Sequence, residues 1–235
     1  MKSLVISLGG SVLVPNLSEN RISEYAAVLR QVSEKHRIFV VVGGGGEARK
    51  YIDAMRSLSV DEGTCDEIGI LVTRLNATLL IAALGDSAYP GVAEDQTTAL
   101  EYGVSGRIVV MGGVTPAQTT DAVAAVLAER TGADILVNLT SVDGIYNADP
   151  KSDASATRYS HLTPDGLAEV VGGCRLNAGS NTVMDAIAVK IIQRSGIPLL
   201  VLDGRKPKNL SDAIISGQFD GTIVSNEQNT LLLPL

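Results

Sequence analysis

Three short apolar segments of this chain each end at a cluster of glycines. They are Leu4–Leu8 before Gly9-Gly10, Ile38–Val42 before Gly43–Gly46, and Arg107–Met111 before Gly112-Gly113. Such segments have the length of a buried strand and are too short for an independent helix. Helical spacing of apolar residues separates them, and strands that alternate with helices build a mainly parallel sheet with helices on both faces. The sequence therefore predicts an α/β fold, a three-layer α/β/α sandwich with a mainly parallel central sheet.

The rest of the chain continues this alternation. Helices are predicted over Asn20–His36, Glu47–Met55, Asp61–Leu84, Thr119–Thr131, Asn181–Ser195 and Asn209–Ile215. Further strands are predicted over Asp134–Leu139, Ile197–Leu202 and Gly221–Val224. In the longest helix, the apolar residues in phase are Ile68, Leu71, Val72, Leu75, Leu79 and Ala82. Because no internal repeat or flexible linker interrupts the pattern, we expect a single domain over residues 1–235.

The composition narrows the class of protein. With no Trp and only two Phe, the core must be aliphatic. The net charge of −7 argues against nucleic-acid or membrane binding through charge, although a local phosphate site is compatible with it. Cys65 and Cys174 have no partners at metal-ligand spacing, so no zinc site is expected. The first apolar run is too short for a signal peptide and no run approaches a membrane span, which predicts a soluble cytoplasmic protein.

The glycine loops are suited to binding anions. Without a Cβ, their backbone N–H groups can approach a phosphate closely, and the helix after each loop adds partial positive charge. Three such loops at the carboxyl ends of neighbouring strands would converge on one edge of the sheet. Arg49, one turn into its helix, could reach the same phosphate or be an ordinary surface charge. The steric alternative is that sharp strand-to-helix turns need glycine. The sequence lacks the P-loop pattern Gly-x-x-x-x-Gly-Lys-Ser/Thr, so the loops are not predicted to be those of a P-loop protein.

A second polar region follows the strand Asp134–Leu139. Polar and aromatic side chains cluster there within a few residues, namely Thr140, Ser141, Asp143, Tyr146 and Asp149. The carboxyl end of a strand in an open α/β sheet is the usual place for a ligand. This composition favours a binding loop, and the alternative is an ordinary polar turn.

The order of these motifs resembles the amino acid kinase superfamily and, within it, the archaeal type of uridylate (UMP) kinases. The motifs are Leu-Gly-Gly-Ser at 8–11, Val-Val-Gly-Gly-Gly at 41–45, Ala-Arg-Lys-Tyr-Ile at 48–52, Ile-Gly-Ile-Leu-Val-Thr-Arg-Leu-Asn-Ala at 68–77, Met-Gly-Gly-Val-Thr-Pro at 111–116, Thr-Thr-Asp-Ala-Val-Ala at 119–124, Asn-Leu-Thr-Ser-Val-Asp-Gly-Ile-Tyr-Asn-Ala-Asp-Pro at 138–150 and Asp-Ala-Ile-Ala-Val-Lys-Ile-Ile at 185–192. The resemblance covers the chain from Leu4 to about Val224. It implies an amino acid kinase-like sandwich, Mg²⁺-ATP as phosphoryl donor, UMP as acceptor and a homohexamer that is a trimer of dimers. The acceptor part would span about 1–131 and the ATP part about 132–235.

The resemblance also implies roles for individual residues. Those near ATP and the transferring phosphates are Gly9, Gly10, Gly45, Arg49, Thr140, Ser141, Tyr146 and Asp149. Those that hold UMP are Gly44, Asp66, Val114, Thr115, Pro116, Ala117, Gln118, Thr119 and Thr120. The residues that organise the transfer are Arg49, Asp185 and Lys190. From the residues alone, Asp66 could instead lie on a solvated helix face, and Thr119 or Thr120 could only cap a helix.

One position departs from the superfamily pattern. Many of these kinases have Lys two residues before the first Gly-Gly pair, where this chain has Ser7. The positive charge that this Lys supplies in those kinases would have to come from Arg49, Lys190, Lys206 or Mg²⁺. The departure leaves open a non-catalytic nucleotide-binding protein, beside superfamily kinases acting on isopentenyl phosphate, carbamate or acetylglutamate. His36, expected at the end of a helix, and His161 are assigned no catalytic role.

Overall fold

A seven-stranded sheet forms the centre of the molecule. The computed structural model describes residues 1–148, 150, 153, 155–174 and 184–226. The strands are β1 (Lys2–Leu8), β2 (His36–Val42), β3 (Val109–Met111), β4 (Ile135–Thr140), β5 (His161–Leu162), β6 (Leu199–Asp203) and β7 (Gly221–Val224). They lie in the order β3-β2-β1-β4-β6-β7-β5, and all neighbours are parallel except β6 and β7. The predicted mainly parallel sheet is therefore confirmed.

Helices cover both faces of this sheet. They are α1 (Gly10–Leu13), α2 (Ile22–Ser33), α3 (Gly45–Ser57), α4 (Glu62–Leu84), α5 (Gln96–Gly103), α6 (Thr120–Thr131), α7 (Pro164–Cys174), α8 (Ala186–Ser195) and α9 (Lys208–Ser211). Alternate residues of β1 face opposite layers, because successive side chains of a strand point to opposite faces. Leu4, Ile6 and Leu8 pack in the core that α2 and α4 cover. Val5 packs in the core under α6 and α8, and Ser7 faces the same side.

Several predicted boundaries and one predicted position differ from the structure. The helix that begins near Asn20 ends at Ser33, and His36 is the buried first residue of β2. The prediction that His36 ends a helix was wrong, because its backbone pairs in parallel register with Lys2 of β1. The short elements α1, β5, α5 and α7 were not predicted. The helix predicted from Asn181 begins at Ala186, and residues 181–183 lie outside the described residues.

The helix α4 carries its apolar row on the outside. Leu71, Leu75 and Leu79 are 55%, 61% and 41% exposed, whereas the polar Thr73 and Asn76 are buried against the sheet. The segment Glu62–Ser87 is also long and apolar enough to cross a membrane by length and composition alone, so the expectation that no run reaches that length was wrong. Core helices of soluble proteins pass the same test. The buried polar residues show that one face of α4 is fitted to the rest of this fold.

Candidate active site

The first two glycine loops meet at the carboxyl end of β1. The sheet has β2 on one side of β1 and β4 on the other, and such a switch point is where ligands enter open α/β sheets. The Gly9 N–H donates to the carbonyl of Leu139, and the Gly43 N–H donates to that of Leu8, each over 3.0 Å. A Cβ on Gly10 would lie 2.1 Å from the backbone nitrogen of Gly45, so the close approach requires glycine. The predicted convergence of these loops is confirmed.

The third glycine loop packs against α4. The Oγ1 of Thr73 accepts the N–H of Gly113 over 2.7 Å. One turn further, Nδ2 of Asn76 donates to the carbonyls of Gly43 and Gly44 over 3.0 and 3.1 Å. Thus α4 contacts two of the glycine loops and forms a wall between them. Thr73 and Asn76 were assigned no role from the sequence, where their spacing of three positions was the only signal.

A cleft of about 270 Å³ lies between these loops and α4. Of the residues predicted to hold the acceptor, those that line it are Gly44, Asp66, Thr115, Gln118, Thr119 and Thr120, and Gly45, predicted to lie near the transferring phosphates, lines it as well. Lining residues that were not predicted are Ala48, Gly69, Ile70, Thr73 and Gly113. Val114, Pro116 and Ala117 belong to the same loop without lining the cleft. Most of the predicted acceptor residues are therefore brought together.

Asp66 joins α4 to the loop before α6. Its Oδ2 accepts the N–H of Ala117 over 2.8 Å, so the carboxylate does more than occupy a solvated helix face. Ala117 has a φ of +61°, which costs a non-glycine residue about 1–2 kcal/mol. The hydrogen bond to Asp66 holds this strained residue in place. Since Asp66 also lines the cleft, its carboxylate is placed to accept a hydrogen bond from a hydroxyl group of a ligand.

Thr119 and Asp185 connect the starts of two helices. Thr119 is the N-cap of α6, as predicted for Thr119 or Thr120, and its Oγ1 accepts the N–H of Ala122 over 3.2 Å. The same hydroxyl donates to Oδ2 of Asp185 over 2.7 Å. Oδ1 of Asp185 accepts the N–H of Ile187 over 2.6 Å and so caps α8. Both side chains therefore lie at the same end of the cleft.

Ser7 binds a second carboxylate where many superfamily kinases have Lys. Its hydroxyl donates to Oδ1 of Asp121 over 2.7 Å. Burial raises the pKa of Asp121 to about 6, the hydrogen bond from Ser7 lowers it, and the charge of Asp185 raises it further. Asn138 pairs with Ser7 in the β1–β4 register and is buried, and its Nδ2 has no partner among the described residues. Ser7 and Asn138 thus place a hydroxyl and an amide near this end of β1, where many superfamily kinases have the positive charge of a lysine.

The three side chains predicted to supply positive charge are all exposed. Arg49 is exposed in the second turn of α3 and forms no ion pair within the described part of the chain. Lys190 is exposed on α8. It follows Asp185 by five residues, and this separation puts the two side chains about 140° apart around the helix axis. The structure therefore does not bring Lys190 and Asp185 together. Lys206 is exposed in the loop after β6.

The loop after β4 forms a second polar region. Thr140, at the end of β4, accepts the N–H of Gly204 on its carbonyl over 2.8 Å, and Ser141 is exposed. The Tyr146 hydroxyl donates to Asp143 over 2.9 Å. Arg158 also donates to Asp143, over 2.8 Å. The contact from Arg158 ties the loop to a segment that lies later in the chain. An ordinary turn would not need such a contact. Asp149 lies outside the described residues.

Comparison with known proteins gives concordant matches over nearly the whole chain. The model of the amino acid kinase family matches residues 2–203. A uridylate kinase of Methanoculleus marisnigri is 62% identical over 99% of both chains, and one of Methanoregula boonei is 59% identical over 99% of both. The crystal structure of uridylate kinase from Archaeoglobus fulgidus is 47% identical, covers 96% of this chain and 100% of its own, and superposes with a TM-score of 0.86.

Proposed function

This chain belongs to the amino acid kinase family, and we propose that it is a uridylate kinase that transfers a phosphoryl group from ATP to UMP, forming ADP and UDP. The observation that carries the proposal is the cleft at the carboxyl end of β1. Glycine amides at the start of α3 border one end of it, and the Asp66 carboxylate lines the wall. The first suits a phosphate and the second a ribose hydroxyl. A nucleoside monophosphate has both groups.

The proposed reaction depends on position and charge. Phosphoryl transfer needs the donor phosphate and the acceptor phosphate held in line, with the charge of the transition state offset. We assign Gly44, Asp66 and the loop 114–120 to UMP, and Gly9, Gly10, Gly45 and Arg49 to the phosphates. Thr140, Ser141, Tyr146 and Asp149 are assigned to ATP. Asp185, which caps α8 and holds Thr119, would fix the acceptor loop relative to the donor side.

Because Ser7 is uncharged, other residues must supply the positive charge for the transfer. Arg49 suits this role, because it lies near the start of α3 and no described carboxylate neutralises it. Lys190 on α8 and Lys206 after β6 are placed behind it, because neither follows a glycine loop that borders the cleft. We therefore place Arg49 first among the cations that act in the transfer.

Mg²⁺ fits this site as a companion of ATP. Among the described residues, no group of three His, Cys, Asp or Glu side chains could hold a metal by itself. Mg²⁺ commonly binds through one or two carboxylates together with substrate phosphates and water. Such oxygens would come from Asp121, which accepts a hydrogen bond from Ser7 of β1, and from Asp185, whose charge acts on Asp121. When bound with ATP, the ion would offset the charge of the donor phosphates.

We also propose that the protein is a cytoplasmic homo-oligomer, a trimer of dimers, acting in pyrimidine nucleotide synthesis without nucleic-acid or membrane partners. The exposed row of Leu71, Leu75 and Leu79 on α4 supports self-association, because a second copy would remove it from water. The acceptor part would span about 1–131 and the donor part about 132–235.

An ADP-release assay tests the proposed reaction. The acceptors are UMP, CMP, carbamate and isopentenyl phosphate, each with Mg²⁺-ATP. ADP formation with UMP well above the rate without an acceptor is expected. No release above background with UMP would refute the proposal and favour a nucleotide-binding protein without activity, for which Ser7 is the supporting feature. Release with another acceptor alone would assign the chain to a different kinase of the family.

A further inference from the structure

Two buried polar residues of α4 contact the cleft walls. Thr73 and Asn76 are 7% and 2% exposed and lie three positions apart, on one face of the helix. Burying a hydroxyl and an amide is costly unless both are hydrogen-bonded. An aliphatic pair would pack on the sheet without that cost. Their partners therefore indicate what the two polar side chains do.

Asn76 fixes the orientation of the loop at Gly43–Gly45. Its Nδ2 donates to the carbonyls of Gly43 and Gly44, over 3.0 and 3.1 Å. In a trans peptide the carbonyl and the following N–H point in opposite directions. Holding these two carbonyls toward α4 thus directs the N–H groups of Gly44 and Gly45 away from it. For Gly45 this is the side of Gly10, whose Cβ position lies 2.1 Å from the Gly45 nitrogen.

Thr73 binds one of the glycine loops that border the cleft and faces the other. Its Oγ1 accepts the Gly113 N–H over 2.7 Å and donates to the carbonyl of Ile70 over 2.6 Å. Its Cγ2 lies 3.6 Å from the position of a Cβ on Gly44. One side chain therefore lies between the Gly43–Gly46 loop and the Gly112-Gly113 loop. Thr73 also lines the cleft.

We propose that Thr73 and Asn76 are positioning residues that set the orientation and separation of these two loops, and thereby the affinity for the acceptor nucleotide. The inference rests on the proposed function, because it identifies the cleft with the UMP site. The loop that Asn76 orients includes Gly45, which is assigned to the phosphates, whereas the hydroxyl of Thr73 binds Gly113, which is not assigned to ATP. Loss of the Thr73 hydroxyl should therefore weaken UMP binding while leaving ATP binding nearly unchanged.

A matched pair of substitutions at Thr73 tests the inference. Thr73→Val keeps the shape of the side chain and removes the hydroxyl, whereas Thr73→Ser keeps the hydroxyl. UMP binding is measured calorimetrically with UMP alone, and the KM values for UMP and ATP are measured by ADP release. Loss of the hydrogen bond from the Gly113 N–H, the one of the two hydroxyl contacts that reaches a glycine loop, predicts that Thr73→Val weakens UMP binding and raises the KM for UMP by about 10-fold. The KM for ATP should change less than about 2-fold. Thr73→Ser keeps the hydrogen bond to Gly113 and loses only the methyl group beside Gly44, so its effect on UMP binding should be much smaller than that of Thr73→Val.

The possible outcomes separate the two proposals. If the unsubstituted protein binds no UMP, the proposed function and this inference both fail. If it binds UMP and Thr73→Val does so equally well, or if Thr73→Val and Thr73→Ser lose affinity equally, only the positioning role fails. Equal losses for UMP and ATP also refute it. Should Thr73→Val not fold, Asn76→Leu provides the same test at the other loop, and unchanged UMP affinity in that variant would overturn the inference.

Discussion

Replacing Asp121 by Asn should stabilise the protein above about pH 6. Asp121 is partly buried at the start of α6, and its pKa is raised from 3.8 to about 6. A raised carboxyl pKa means that the folded state binds a proton more readily than the unfolded state. The free energy of unfolding therefore falls as the pH rises from about 4 to 6. At 1.36 kcal/mol for each pKa unit, the charged form costs up to about 3 kcal/mol at pH 8.

The side-chain amide that Asp121→Asn introduces still accepts the Ser7 hydroxyl on its oxygen, so the substitution removes chiefly the charge. Urea unfolding followed by circular dichroism at pH 4 to 8 measures the effect. The variant should be more stable than the unsubstituted protein by up to about 3 kcal/mol at pH 8, with the difference vanishing near pH 4.

Asp86→Asn removes an exposed carboxylate on the turn after α4 and is the matched control for the loss of one negative charge. A pH profile for Asp121→Asn that parallels that of the unsubstituted protein would refute the reasoning, as would a loss of stability at pH 8.

Three further changes test other parts of the site. Asp185→Asn should lower kcat far more than it weakens UMP binding, and equal losses measured by kinetics and calorimetry would contradict its role in the transfer. Gly10→Ala should destabilise the protein or abolish activity, because the added Cβ would lie 2.1 Å from the Gly45 nitrogen. An unchanged thermal unfolding temperature together with unchanged kinetics would refute this close approach of the two loops. Leu75→Glu should reduce oligomer size in sedimentation velocity while leaving the monomer folded, since Leu75 is 61% exposed. An unchanged sedimentation coefficient would place the subunit interface elsewhere.

The fold followed from local signals, and the exceptions have physical reasons. Glycine-terminated strands predicted the sheet, and Thr119 was recognisable as a cap because its hydroxyl precedes an apolar helical stretch. Helix α5 was missed because it has only eight residues, although Asp95 caps it by accepting the Thr98 N–H over 2.8 Å. Periodicity identified α4 as a helix but could not tell which of its faces is buried.

The candidate site was predictable where the chemistry is contiguous in sequence. The acceptor loop at 114–120 could be read as one segment. The environment of Asn76 could not, because its partners Gly43 and Gly44 lie more than thirty residues earlier. The pairing of Ser7 with Asp121 likewise spans 114 residues. Such contacts depend on which strands become neighbours, and no local pattern reports that.

The hydrogen bond between Thr119 and Asp185 has a thermodynamic consequence. It joins side chains 66 residues apart, each at the start of a helix. A ligand group that accepts a hydrogen bond from the Thr119 hydroxyl must release one oxygen of Asp185, because the hydroxyl has only one proton to donate. Any ion or nucleotide that then engages this oxygen changes the affinity of the first ligand, and the first changes the affinity of the second by the same factor. The single hydroxyl of Thr119 therefore couples the binding of the two ligands to each other, and this coupling requires no movement of the sheet.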